Sequence, residues 1–410
     1  MAPPDTRLAR RRLVAQGVAG PDSSASRPGQ SPTRADSVVL AASRQLATQA
    51  QDLASGVGAL ALRSTGLHAD VEAALDAGAI VRSWPMRGTL FLVAAADARW
   101  LTELLAPRSY GQAAGVWRTA GLGEPEFARA ASIARDVLGG GRALPRADVF
   151  AAFEAGGLPL GGGRGPLLLK RLAGDALIVL GPLVGAQQAV VLLDDWARDA
   201  RARDREDALR ELAVRYVAGH GPATVHDLAW WSGLTVTDAR RAVELAGDAI
   251  EREEIGGVTF LVAAAGHPAF SPSPASSSPS SVSLPSSASL PSSASLPSSP
   301  GAEAVAAPGD VRLLPSFDEL LLGYRDRSAS MTPETFARVT PSSNGLFLPV
   351  VTVDGRVVGT WRRTLVGSAA VEVATDLFEP VSAAVETAIR RRSQEFAVSL
   401  GRELVAPASP

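Results

Sequence analysis

The sequence contains no cysteine. That excludes disulfides, thiolate nucleophiles and cysteine-held zinc or iron–sulfur sites. Lysine is almost absent as well: Lys170 is the only one, so 39 of the 40 basic residues are arginine. GC-rich coding accounts for this bias, and composition alone favours that account over selection for planar, bidentate anion binding. There are four histidines, His68, His220, His226 and His267, with no HExxH pattern or dense ligand cluster, so neither a metal centre nor a cofactor is expected. No apolar run reaches the roughly 18 residues that suggest a membrane-spanning helix, so no membrane partner is expected. Arg7, Arg10, Arg11 and Arg12 are not followed by an apolar core, so no secretory signal is read and a cytoplasmic protein is the default. An excess of one charge is missing too. The formal net charge is 40 − 42 = −2, which argues against blanket nucleic-acid binding but not against a local basic surface.

What is present is length and apolar content. The chain has 410 residues, 46% apolar and 20% charged, enough to bury sizeable cores in more than one domain. Residues 19–36 are rich in Ser, Pro and Gly. Residues 266–310 are more extreme, with Ser-Leu-Pro-Ser-Ser-Ala at 283–288 and 289–294 and Ser-Leu-Pro-Ser-Ser-Pro at 295–300. Such a segment cannot offset its ordering entropy by burial and reads as a disordered linker. It separates a body of about 230 residues from a C-terminal part of about 100.

The body repeats itself. Gly141-Arg-Ala-Leu-Pro-Arg-Ala-Asp148 and Gly219-His-Gly-Pro-Ala-Thr-Val-His-Asp227 each follow an amphipathic helix and open another. A further helical stretch comes near 165–174 and 235–246, and then an alternating pair of strands: 176–180 with 188–193, and 249–253 with 258–262 around Gly256-Gly257. The same order appears earlier, with a capped helix over Asp70–Gly78 and a hairpin of 79–84 with 88–93. Helix–helix–helix–hairpin is the winged-helix order. After the linker, Leu346–Trp361 reads as two strands around Asp354-Gly355, Val371–Asp376 as a third, and 380–395 as a helix. The fold class is therefore α+β, with three tandem winged-helix units (37–120, 121–200, 201–265) packed around a small C-terminal β-barrel-like domain (311–410). An N-terminal basic helix and flexible segment (1–36) precede them.

The distinctive cluster is Gln49-Ala-Gln-Asp52, within a helical pattern running from about Val38 to Arg63. Two positions apart on a regular helix diverge by about 200°. By spacing alone these are two solvated glutamines, able to converge only near a helix end or bend. Several stretches together, however, resemble the winged-helix DNA-glycosylase family that includes the azinomycin-resistance enzyme and relatives that unhook DNA interstrand crosslinks. They are Leu8–Gly20, Gln49–Asp52, Val81–Leu90, Arg215–Thr224, Trp230–Leu234, Leu314–Glu319, Gly323–Arg327 and Asp354–Trp361. The resemblance implies that Gln49 and Gln51 hold a water against the anomeric carbon of an alkylated nucleotide. Asp52 is an alternative base; its plainer reading is a solvated helix residue.

Such weak groups suffice for such a lesion. An N7-alkylated guanine is already cationic and leaves without a strong acid. Amide oxygens stabilise an oxocarbenium-like transition state by charge–dipole attraction. The partner is then double-stranded DNA carrying alkylation or crosslink damage, and the protein a monofunctional glycosylase acting as a monomer. The competing reading is a non-catalytic winged-helix DNA-binding protein or regulator.

Candidate DNA contacts are Arg82, Met86 and Arg87 on the first wing, with Met86 as an apolar probe, together with His220, Arg325 and Arg327. The N-terminal arginines and Arg390–Arg392 are weaker candidates. The plainer readings are solvated arginines, a packed or capping His220, and a node at 317–327 in which adjacent Asp318 and Glu319 point apart and join barrel to body. One departure from the family pattern is Phe91, where relatives often carry histidine.

Overall fold

The computed structural model describes residues 6–19, 33–184, 187–267, 305–342 and 345–406. The Ser/Pro-rich stretch lies almost wholly outside these residues, as does most of 19–36.

Helix α1 (Thr6–Ala15) comes first. The expected long helix across 38–63 is broken. Helix α2 (Arg34–Gln45), N-capped by Thr33 Oγ1 accepting from Asp36 N, ends where Leu46 takes φ 61°. A short strand β1 (Thr48–Gln49) follows, then α3 (Leu53–Leu62), capped by Asp52. A left-handed leucine costs about 1–2 kcal/mol; complete burial of Leu46 and Ala47 and the pairing of β1 offset it.

Helix α4 (His68–Asp76) leads into hairpin β2 (Ile80–Met86) and β3 (Thr89–Ala94). Helix α5 (Ala95–Thr119) was not legible as a helix, and it carries Pro107 in its interior. The second set is α6 (Glu124–Leu138), α7 (Arg146–Ala155), α8 (Arg164–Gly174), β4 (Ile178–Val184) and β5 (Gln187–Leu192), closed by α9 (Leu193–Trp196). The third is α10 (Arg205–His220), α11 (Val225–Ser232), α12 (Val236–Ala246), β6 (Ile250–Ile255) and β7 (Val258–Ala263). Three helices followed by an antiparallel hairpin thus occur three times, close to the positions expected. Two of the three hairpins are joined. Arg82 pairs with Leu180, so the first two merge into one sheet of order β1-β3-β2-β4-β5, and only β6-β7 stands alone.

The C-terminal part holds β8 (Val311–Leu314), α13 (Glu319–Leu322), α14 (Pro333–Val339), β9 (Val350–Val353), β10 (Arg356–Val366), β11 (Ala370–Leu377), α15 (Ala383–Ser399) and β12 (Glu403–Val405). Its sheet runs β12-β11-β10-β9-β8, antiparallel except where β12 joins β11. Asp354 and Gly355, at φ 54° and 76°, make the β9–β10 turn, as a two-residue hairpin loop requires. Helix α15 packs on both edge strands, β8 and β12. Helix α1 belongs to the C-terminal core by packing: Leu13 and Val14 lie with Leu314, Leu320, Leu321 and Val350.

Among the described residues, no helix is long and apolar enough to cross a membrane. The architecture is α+β, and Gln49–Asp52 falls where the first helical set, the five-stranded sheet and α13 meet.

Candidate active site

The break after α2 is what gathers the glutamines. Thr48 and Gln49 run extended beside β3, with Gln49 opposite Phe91, and the chain bends at Gln51 and Asp52. The regular helix that would turn two residues apart by about 200° is absent here, and both glutamine side chains meet β3. Ala50 N–H donates to Leu90 O at 2.8 Å. A regular ladder would return Leu90 N–H to Ala50 O. Instead it donates to Gln51 Oε1 at 3.3 Å, and Ala50 O accepts from Arg82 Nε at 2.9 Å. Gln49 Oε1 accepts from Thr89 Oγ1 at 3.3 Å. Each amide oxygen keeps a second lone pair. Gln49 is buried and Gln51 is exposed, so the segment passes from the interior to the surface between them.

Asp52 accepts from Ser55 N at 3.2 Å and Ser55 Oγ at 2.5 Å. It is exposed, as expected, but stands at the N-cap of α3 rather than within a helix.

Beneath β1 lies a carboxylate from the far end of the chain. Glu319 is fully buried; its Oε1 accepts from Gln49 N at 3.1 Å and its Oε2 from Trp231 Nε1 at 3.0 Å. Its neighbour Asp318 turns the other way and takes both Nη atoms of Arg63 at 2.8 Å. The two acidic side chains diverge, as adjacent residues were expected to.

The proposed DNA contacts divide. Arg82 spends its guanidinium inside the protein, on Ala50 O, Gln51 O at 3.1 Å and Gln188 Oε1 at 3.0 Å. Burial pushes its pKa down to about 10, opposed by the charge of Asp52. Arg82 clamps the glutamine segment to the sheet.

Met86 is a correction. It is completely buried in the main core and cannot probe a groove. His220 is another. It has no exposure, stacks on Tyr216 at 4.6 Å and touches Trp231 and Tyr324; neither ring nitrogen makes a hydrogen bond among the described residues, and Nε2 lies 3.9 Å from Glu319 Oε2. Two of the four N-terminal arginines are also spoken for. Arg11 makes a bidentate pair with Glu253 at 2.9 and 2.7 Å, and Arg12 lies 3.7 Å over the Tyr324 ring and donates to Pro222 O.

Arg87 and Arg327 are different. Arg87 occupies the β2–β3 turn at φ 52°, a conformation arginine seldom adopts. Its Nε is buried without an acceptor, and it makes no ion pair within 4.0 Å among the described residues. Burial lowers its pKa, opposed by the charges of Glu319 and Tyr216. Arg327 donates Nε to Leu321 O at 2.6 Å and lies 5.5 Å over Trp230, an exposed ring. Its pKa is lowered by burial and by the charge of Arg87. Arg325 is exposed; only its backbone N–H is engaged, by Asp227.

Composition singled out Lys170 without assigning it a place. It packs against the same turn: a Cβ on Gly88 would stand 2.4 Å from its Nζ. Burial lowers its pKa, and it too has no carboxylate within 4.0 Å among the described residues. Its being the only lysine was the available signal. Thr89 and Glu319 gave no comparable one as ligands of Gln49.

Phe91, fully buried, stands cross-strand from Gln49 with the Arg87 guanidinium 5.4 Å from its ring centre. The departure from the family pattern therefore falls beside the glutamine pair.

Residues 42–397 match the model of a protein family described as DNA glycosylase AlkZ-like. Among curated proteins there is no match. Among solved structures, the Streptomyces sahachiroi DNA glycosylase AlkZ is similar, with a TM-score of 0.71 and 21% identity, covering 99% of this chain and 100% of that one. At that identity the likeness speaks to fold.

Proposed function

The chain belongs to the AlkZ-like DNA glycosylase family, and from that premise we propose that it hydrolyses the N-glycosidic bond of bulky or crosslinked N7-alkylated purines in duplex DNA. Gln49 and Gln51 hold the attacking water. The three helix–hairpin sets act as tandem winged helices around a C-terminal half-barrel.

The observation that supports the reading is that both glutamine side chains meet β3, with Gln49 Oε1 accepting from Thr89 and Gln51 Oε1 from Leu90 N–H. Each amide oxygen is steadied by one donor and keeps a lone pair for a water proton. Amides need no tuned pKa to orient water, and the cationic leaving base supplies the driving force. Groups this weak spare unmodified nucleotides.

A crosslinked purine is tethered to the opposite strand and cannot swing into a closed pocket, so the base-flipping route is barred for it. A pair that reaches the surface at Gln51 suits that substrate. Arg87, Arg327 and Lys170 supply cations without carboxylate partners for backbone phosphates, and Arg325 adds a fourth.

The test uses duplex DNA carrying N7-methylguanine or an N7-linked interstrand crosslink. Wild type is expected to leave abasic sites, and the Gln49→Ala, Gln51→Ala double variant to act at least about a hundredfold more slowly. Equal release by the two proteins rules out the glutamine assignment. Tight duplex binding without release by wild type would return the chain to the regulator reading.

A further inference from the structure

We propose that Glu319 is a positioning residue of the glycosylase reaction: its carboxylate, one hydrogen bond beneath Gln49, holds the glutamine segment and sets a negative potential under the reacting sugar. This rests on the glycosylase reading above.

The argument starts from what the Gln-Ala-Gln segment lacks. Its two polar side chains are neutral, while the bond it would cleave passes through a cationic, oxocarbenium-like sugar. Asp52, the acid next to it in sequence, caps α3. Glu319 is 270 residues away from Gln49 in the chain, yet its Oε1 lies 3.1 Å from Gln49 N. It is wholly excluded from solvent, and a charge acts over a longer range where water is excluded.

The other buried acids each face an arginine: Asp318 has Arg63 at 2.8 Å, Asp97 has Arg215 at 2.5 and 2.6 Å, and Asp227 has Arg12 at 3.8 Å. Glu319 has no arginine within 4.0 Å among the described residues; the nearest ring nitrogen, His220 Nε2, is at 3.9 Å. The groups at hydrogen-bond distance from it are two neutral N–H donors, Gln49 N and Trp231 Nε1, rather than a guanidinium. The opposing cation is Arg87, whose guanidinium is attracted to it without touching it.

As the glycosidic bond breaks, positive charge moves from the alkylated base onto the sugar. A carboxylate fixed below Gln49 favours the sugar-centred charge over the base-centred one. That is a gain specific to the transition state.

The experiment measures single-turnover release of N7-methylguanine from a duplex by the full chain, with duplex binding and thermal melting alongside. Glu319→Gln removes the charge and keeps the size. It is expected to bind duplex within about twofold of wild type and to release base roughly tenfold to a hundredfold more slowly. Trp231→Phe removes the second hydrogen bond and leaves the charge, and is expected to stay within about threefold of wild type.

A Glu319→Gln rate equal to wild type overturns the proposal. So does a Trp231→Phe rate tenfold below wild type, since packing would then account for both, and this arm stands even if Glu319→Gln fails to fold. Wild type that releases no base removes the glycosylase reading itself, an outcome distinct from either.

Discussion

Two sets of arginines in this protein differ only in what they touch. At the joints, each is matched to an acid. Arg63 in the loop after α3 holds Asp318 before α13, Arg215 in α10 holds Asp97 in α5, and Arg11 in α1 holds Glu253 in β6. Around the glutamine segment, Arg87 and Arg327 have no such acid among the described residues, and Lys170 shares that condition. Burial raises the cost of carrying a charge in both places. At the joints the matching carboxylate offsets it. At the site the offset is missing, and the lowered pKa of Arg87 and Arg327 records that. Charge left unmatched beside a surface suits an anion that arrives from outside, and in a DNA glycosylase that anion is phosphate. The net charge of −2 averages over these two sets and reports neither.

The sharpest break in the comparison is at a joint. Asp318→Ala strands Arg63, which is 7% exposed, and removes a bidentate pair that ties the first helical set to the C-terminal part. Stranding one member of a buried pair costs about 3–5 kcal/mol. A urea titration of the variant should show that loss. A midpoint within experimental error of wild type would mean that the joint arginines are no more tightly held than the site ones.

The next effect sharpens the comparison with a neutral joint. His68 in α4 meets Ser399 at the end of α15, its Nδ1 lying 2.8 Å from Ser399 Oγ. Burial pushes its pKa down to about 4, helped by the charge of Arg363 and opposed by the Ser399 hydrogen bond. In the unfolded chain the ring titrates near 6.5, so between these values the unfolded state binds more protons. Stability from this group is complete above about pH 6.5 and is lost as pH falls toward 4, by roughly 3 kcal/mol in all. His68→Asn abolishes that dependence. The difference in unfolding free energy between wild type and variant should shrink by about 2–3 kcal/mol from pH 7 to pH 4.5; a difference that stays constant refutes it.

How far the sequence reveals this arrangement depends on the range of the signal. Hydrophobic periodicity and turn residues act locally, so the three helix–hairpin sets and the Asp354-Gly355 turn were legible. The break at Leu46 was not, because the apolar pattern runs through it; burial of Leu46 and Ala47 and pairing with β3 override the helical preference. That break is what sets Gln49 and Gln51 against β3. Met86 and His220 were misplaced for a related reason: a wing residue and a histidine beside a turn look exposed until the main core and the Tyr216–Trp231–Tyr324 cluster cover them. The Glu319–Gln49 contact spans most of the chain and leaves no local trace.

The smallest effect tests the other half of the comparison. Arg87→Met removes a buried cation that has no carboxylate at contact distance, so it should change unfolding free energy by less than about 1 kcal/mol. Methionine carries the same penalty as arginine at φ 52°, so the turn itself is not the variable. Duplex affinity should fall about tenfold, and the slope of log affinity against log salt should drop by about one. Arg327→Met should behave alike, and the two together should add, provided each meets its own phosphate. If instead Arg87→Met destabilises as much as Asp318→Ala and leaves the salt slope untouched, Arg87 is a joint residue whose partner is Glu319, and the two sets of arginines are one.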